Sequence, residues 1–174
     1  MSEIARTKTH PVMVGSVQVG GGAPVSVQSM CTTKTDDPDA TLLQIKGLAE
    51  AGCEIIRVAI PDAKALDGFE EICKYSPLPV VADIHFDYKL ALEAAKRGAA
   101  ALRINPGNIG SMKRVDAVIE AAKEAHIPIR IGVNAGSLAK EFDTRQDMTL
   151  VEKLVASSKS FVEHFSSRGF DDIV

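Results

Sequence analysis

Apolar and polar positions along the 174-residue chain switch repeatedly between two periods. Short β-branched runs cover residues 25–30, 55–60, 80–85, 101–105 and 127–134, and each reads as a strand. Between them, apolar residues recur at three- and four-residue spacing, the period of a helix with one buried face. The first helix starts at Asp37-Pro38, a cap followed by proline, and buries Leu42, Ile45, Leu48 and Ala49 before Gly52. The second runs from Asp62 with Ala65, Leu66, Phe69 and Ile72 inside. The third is capped by Asp87 and buries Leu90, Ala91, Ala94 and Ala95. The fourth starts at Ser111 and buries Val115, Val118, Ile119 and Ala122. A fifth, over 149–167, is expected to bury Leu150, Leu154, Val155, Phe161, Val162 and Phe165. Val12–Gly20 alternates around Gly15-Ser16 and predicts a β-hairpin ahead of the repeats, and residues 171–174 look like the start of a sixth strand.

Strict strand–helix alternation with short connections predicts parallel strands and right-handed crossovers. A doubly wound sheet and a closed barrel both satisfy this, but polar groups on one face of every strand fit a barrel mouth better. The expected fold is therefore α/β, a TIM (β/α)8-type barrel incomplete in this chain. Residues 1–24 form the hairpin and lead-in, and residues 25–174 supply about five βα units plus the start of a sixth strand. A full barrel takes about 250 residues, so the chain is expected to be part of a longer protein.

Alternation also sorts the side chains within each strand. Arg130, Gly132 and Asn134 share one face, opposite Ile127, Ile129, Ile131 and Val133. By the same rule Arg103 and Asn105 point inward, as do Val81, Asp83 and His85. Arg57 goes with Ile55 and Ala59, and on the first strand Ser26, Gln28 and Met30 face in. Three arginines facing one cavity repel each other, and Asp83 is expected to offset one of them. A multiply charged anion supplies the rest, and the guanidinium fork suits phosphate oxygens. The loop Asn105–Ser111 has glycines and backbone N–H groups suited to a phosphate, though an ordinary loop with a serine cap explains it equally well, and Asn134–Ser137 carries the same signal weakly.

Net charge and cysteines narrow the classes. The charge of −3 and the absence of a Lys/Arg run argue against nucleic acid. No apolar stretch approaches membrane-spanning length and residues 1–11 lack the apolar core of a secretion signal. Cys31, Cys53 and Cys73 form no CxxC, so no metal site is evident and a reducing cytoplasm is the expected compartment. Cys31, near the predicted mouth, is a candidate reactive thiol, whereas Cys53 and Cys73 read as small core residues. Asp83-x-His85 suits acid/base work or metal binding, but a third ligand is not evident. His10, His126 and His164 read as surface or helix-end residues.

Six segments occurring in order carry a family resemblance. They are Val27–Met30, Thr32–Asp36, Arg57–Pro61, Ala82–Tyr88, Leu102–Asn108 and Arg130–Ser137. Together they resemble the hydroxymethylbutenyl diphosphate synthases of the methylerythritol phosphate route to isoprenoids. The resemblance implies reductive opening of a cyclic diphosphate, 2-C-methyl-D-erythritol 2,4-cyclodiphosphate. It implies that Arg57, Arg103 and Arg130 hold the diphosphate. Asp83, His85, Asn105 and Asn134 would surround the substrate, with Gln28 and Ser29 at the end of the first strand. It further implies a [4Fe–4S] cluster on a C-terminal domain that this chain lacks, ferredoxin or flavodoxin as electron donor, and a homodimer. On this resemblance the chain is an N-terminal fragment that binds no cofactor itself and is inactive alone. A pterin-binding synthase of the dihydropteroate type and a non-catalytic phosphate-binding module are the alternative readings.

Overall fold

The computed structural model describes residues 7–138 and 140–174; the first six residues of the expected lead-in lie outside them. Strands β1 (Val12–Val14) and β2 (Val17–Val19) form an antiparallel hairpin. The main sheet contains β3 (Gln28–Met30), β4 (Ile55–Ala59), β5 (Val80–Ile84), β6 (Ala101–Ile104) and β7 (Ile129–Ile131), in that order and all parallel. Helices α1 (Pro38–Glu50), α2 (Ala65–Tyr75), α3 (Tyr88–Lys96), α5 (Met112–Ala125) and α7 (Leu150–Ser167) connect or follow the strands. Two single-turn helices, α4 (Pro106–Ile109) and α6 (Lys140–Asp143), lie in loops where periodicity gave no signal. Past α7 the chain returns to the sheet. Val174 N–H donates to the Ile129 carbonyl and Ile131 N–H to the Val174 carbonyl, at 3.0 and 3.1 Å. Five βα units and the beginning of a sixth strand are thus in place.

The helix starts follow their capping residues. Asp37 Oδ1 accepts from Ala40 N–H at 3.1 Å, and Asp87 Oδ1 from Lys89 N–H at 3.0 Å. Asp62 Oδ1 accepts from Lys64 and Ala65 N–H just ahead of α2. Thr149 and Glu152 form a reciprocal capping box on α7. Each satisfies amide donors that a helix start leaves without intrahelical partners.

Two apolar clusters hold the sheet. The larger lies between its outer face and the helices, with Ile45, Phe69, Ile72, Leu102, Ile104, Ile119 and Phe165 fully buried. The smaller lies on the inner face, where Ile55, Val81 and Ala101 pack against Val14 of the hairpin. The hairpin therefore floors the inner face at the N-terminal end of the strands and leaves the C-terminal end open.

The burial expected for α7 needs correction. Leu150, Val155 and Val162 are exposed, and the buried stripe is Ser157, Phe161 and Phe165. The stripe has the helical four-residue spacing, but the true inner face is narrower and begins only midway along the helix. Leu150, Val151 and Val155 project away from the five strands present. His164 lies in the last turn of α7, as the helix-end reading expects, and is partly buried. It meets Asp116 of α5 at 2.7 Å, and Arg168 pairs with the same carboxylate.

Phe69 is fully buried between α2 and the sheet. Phe69→Ala is expected to destabilise the chain by about 3–5 kcal/mol, read as a lower urea midpoint with an unchanged slope.

Candidate functional site

Strand register brings the charged residues together. One hydrogen-bonded row across the sheet contains Ala59, Asp83, Arg103 and Arg130; the row below contains Met30, Arg57, Val81 and Ala101. The inner face therefore changes character along the strands. Its lower part is apolar and packs against Val14 of the hairpin, beside a cleft of about 550 Å3 that Val19, Ile55, Gln28 and Arg130 help to line, and its upper part is charged.

Asp83 is at the centre of that upper part. It is 2% exposed, and its two carboxylate oxygens serve different arginines. Arg103 Nη1 donates to Oδ1 at 3.1 Å, and Arg57 Nε lies 3.2 Å from Oδ2. One carboxylate thus bridges two guanidiniums, where charge counting from the sequence assigned it one. Such a buried charge is tolerable only when paired and hydrogen-bonded, and two forks meet that requirement. Arg57 also points Nε and Nη2 at the Met30 sulfur, at 3.3 and 3.1 Å. Arg130 turns the other way and donates to Gln28 Oε1 at 2.8 Å, spanning the inner face from β7 to β3. Three guanidiniums share the inner face with one carboxylate, which only Arg57 and Arg103 reach, so positive charge is in excess there among the described residues.

His85 stands at the rim with Nε2 3.4 Å from Asp83 Oδ2, and its ring meets Phe86 edge-on. Phe86 is an exposed aromatic. Asp83, His85, Phe86, Ala59 and Pro61 line a cavity of about 240 Å3 with Asp87 and Leu90 at the start of α3, and Asp83 alone joins it to the arginines. A second cleft of about 300 Å3 opens between the loops after β3 and β4, lined by Thr33, Lys34, Thr35 and Asp62.

The two asparagines act on loop structure. Asn105 is 1% exposed; its Oδ1 accepts from Gly107 N–H and its amide donates to Ser137 Oγ. Ser137 in turn donates to Asn134 Oδ1, which also accepts from Gly136 N–H. These bonds tie the loop after β6 to the loop after β7. Asn134 itself is exposed at the mouth. Ser29 lies between Gln28 and Met30 on the opposite face of β3, away from the arginines. The structure thus gathers Arg57, Asp83, His85, Arg103, Arg130 and Gln28, and leaves Ser29 outside.

Thr35 is a site-building residue that sequence reasoning missed. It is buried, and its hydroxyl donates to the Ala59 carbonyl at the end of β4. It sits in an aperiodic polar loop, where only its place in the Thr-Thr-Lys-Thr-Asp run marks it. The expectation of a reactive Cys31 fails: the thiol is buried, and burial, with Cys53 nearby, pushes it up to about 11. Burial pushes Cys73 up to about 12. Thiolates are the nucleophiles and metal ligands, so neither thiol suits those roles. Among the described residues no group of three or more His, Cys, Asp or Glu side chains is placed to hold a metal ion. No described helix is long and apolar enough to cross a membrane.

Comparison with known proteins assigns the family. The GcpE TIM-barrel domain matches residues 9–174. The chain belongs to that family. It is 53% identical over 175 residues to the 4-hydroxy-3-methylbut-2-en-1-yl diphosphate synthase (flavodoxin) of Geobacillus thermodenitrificans, covering 100% of this chain and 47% of the relative. To the protein of the same name from Clostridium acetobutylicum it is 54% identical over 169 residues, covering 97% and 48%. The chain thus spans about half the length of these GcpE relatives. Among solved structures it resembles 7,8-dihydropteroate synthase from Vibrio fischeri, with a TM-score of 0.67 and 15% identity over 95% of this chain and 65% of that one. It also resembles phospho-2-dehydro-3-deoxyheptonate aldolase from Thermotoga maritima, with a TM-score of 0.62 and 16% identity over 96% and 44%. At such identities the likeness is one of fold, and it identifies the chain as part of a TIM barrel.

Removing the bridging carboxylate leaves two guanidiniums facing each other. Asp83→Asn is expected to cost about 3 kcal/mol, the lower end for breaking a buried ion pair because both arginines are partly exposed. Urea unfolding at low salt measures it, and an unchanged midpoint contradicts the bridge.

Proposed function

We propose that this chain is the substrate-binding part of a 4-hydroxy-3-methylbut-2-en-1-yl diphosphate synthase. In this reading the full-length enzyme opens 2-C-methyl-D-erythritol 2,4-cyclodiphosphate reductively to 4-hydroxy-3-methylbut-2-enyl diphosphate, and the chain holds the diphosphate. The observation that carries it is the placement of Arg57, Arg103 and Arg130 on one inner face, with a single carboxylate shared by the first two. The surplus of positive charge suits a ligand with two negative phosphoryl groups, and the forks suit their oxygens. The family and the names of the GcpE relatives point the same way.

The arginines bind the anion and the open mouth admits it. Asp83 is the positioning carboxylate, since both its oxygens are committed to guanidiniums. His85 is the proton-transfer candidate, because its side chain is 55% exposed at the rim and reaches the cavity. Gln28 sets Arg130, and Asn105 and Asn134 shape the two loops that frame the mouth. In the reading the two electrons come from a [4Fe–4S] cluster supplied by a further domain, with flavodoxin, named in the relatives, or ferredoxin as donor. The described cysteines do not fit that cluster. A homodimer, in which another subunit completes the site, is part of the same proposal.

Calorimetric titration of the chain tests the ligand. The cyclodiphosphate is expected to bind more tightly than inorganic diphosphate or a pterin diphosphate. Arg57→Ala and Arg103→Ala each weaken it by about tenfold or more, the value of one charge-assisted hydrogen bond. Equal affinity for the three ligands, or unaltered binding by both variants, defeats the proposal.

A further inference from the structure

Gly132 follows β7 on the inner face, two residues beyond Arg130, and its N–H donates to the Ile104 carbonyl at 2.8 Å. A Cβ built on it runs into the guanidinium of Arg103, 2.7 Å from Nε and 2.8 Å from Cζ, with Nη2 nearer still. The three nearest atoms all belong to that one group. Gly107 and Gly68 differ, because a Cβ on either meets a backbone carbonyl, of Ser137 and Thr35 respectively. Those two glycines allow chain segments to approach. Gly132 leaves space for one side chain.

We infer that Gly132 is a positioning residue for the anion site. Its bare backbone is the shelf on which the Arg103 guanidinium lies while Nη1 holds Asp83 Oδ1. Backbone pairing puts Arg103 beside Arg130, a like charge on the same face. Repulsion and side-chain entropy both favour swinging Arg103 out toward solvent. Asp83 pulls it in, and the missing side chain at 132 leaves room for it to stay. Any β-carbon at 132 makes the inward pose and the new atom compete for one volume. Because a guanidinium is the movable end of a long side chain, Arg103 gives way and the strand does not. Arg103 then leaves Asp83, Arg57 keeps the carboxylate alone, and the fork that grips the ligand is no longer aimed inward.

The inference rests on the diphosphate reading for its consequence, though not for its geometry. Its test is a set of four chains: the native sequence, Gly132→Ala, Arg103→Ala and the double variant, each examined by thermal melting and by titration with inorganic diphosphate. Gly132→Ala is expected to lower the melting temperature and to weaken diphosphate about tenfold, the effect of losing one charge-assisted contact. In the Arg103→Ala background the same alanine has no guanidinium to meet, so it changes neither melting nor binding further. If Gly132→Ala fails to fold, the double variant is expected to fold as Arg103→Ala does. Equal loss of melting temperature in both backgrounds overturns the inference, as does a double variant that also fails to fold. Native-like binding by Gly132→Ala overturns it too. If the native chain does not bind diphosphate, the ligand reading falls, and the melting comparison still decides the role of Gly132.

Discussion

The carboxylate of Asp83, buried to 2% exposure, holds two arginines from neighbouring strands. The upper inner face depends on this interaction. Without it Arg57, Arg103 and Arg130 are like charges crowded on a half-closed surface, with every reason to point outward. With it, two guanidiniums are fixed at 3.2 and 3.1 Å from one group. A pair of this kind contributes little net stability, since desolvation offsets most of the attraction. Its contribution is geometric: it makes the positive charge convergent before any ligand arrives, so less ordering is left for binding to do.

The rest of the fold supplies the two conditions this bridge needs. The outer core of Phe69, Ile72, Leu102, Ile104 and Ile119 holds the strands in register, and register alone decides that Asp83 neighbours Arg103. The hairpin packs Val14 against Ile55, Val81 and Ala101 on the lower inner face. That apolar floor keeps the charged layer at one end of the strands, the C-terminal end, where barrel enzymes carry their sites. Linked loops, joined through Asn105, Ser137 and Asn134, frame the opening.

Much of this was legible because strand alternation and helix period are strict here. The inward set of Arg57, Asp83, Arg103, Gln28 and Arg130 follows from a two-residue period, and the caps at Asp37 and Asp87 from residue chemistry. What stayed hidden depends on neighbours that periodicity cannot see. Sharing of Asp83 between two arginines needs the lateral register, which no single strand encodes. The exposure of Leu150, Val155 and Val162 reflects how little of α7 meets the five strands present. The burial of Cys31 and Thr35 comes from packing of an aperiodic loop. The fit between Gly132 and Arg103 needs three-dimensional distances, although a glycine inside a strand pattern is itself a hint of close approach.

The central claim is that one buried carboxylate aims two arginines at an anion. A crystal structure of the chain soaked with inorganic diphosphate tests it most directly. The account predicts a phosphoryl group within hydrogen-bonding distance of both Arg57 and Arg103 on the inner face, with Asp83 still bridging the two guanidiniums beneath it. A diphosphate bound elsewhere, or one that takes either arginine away from Asp83, contradicts it.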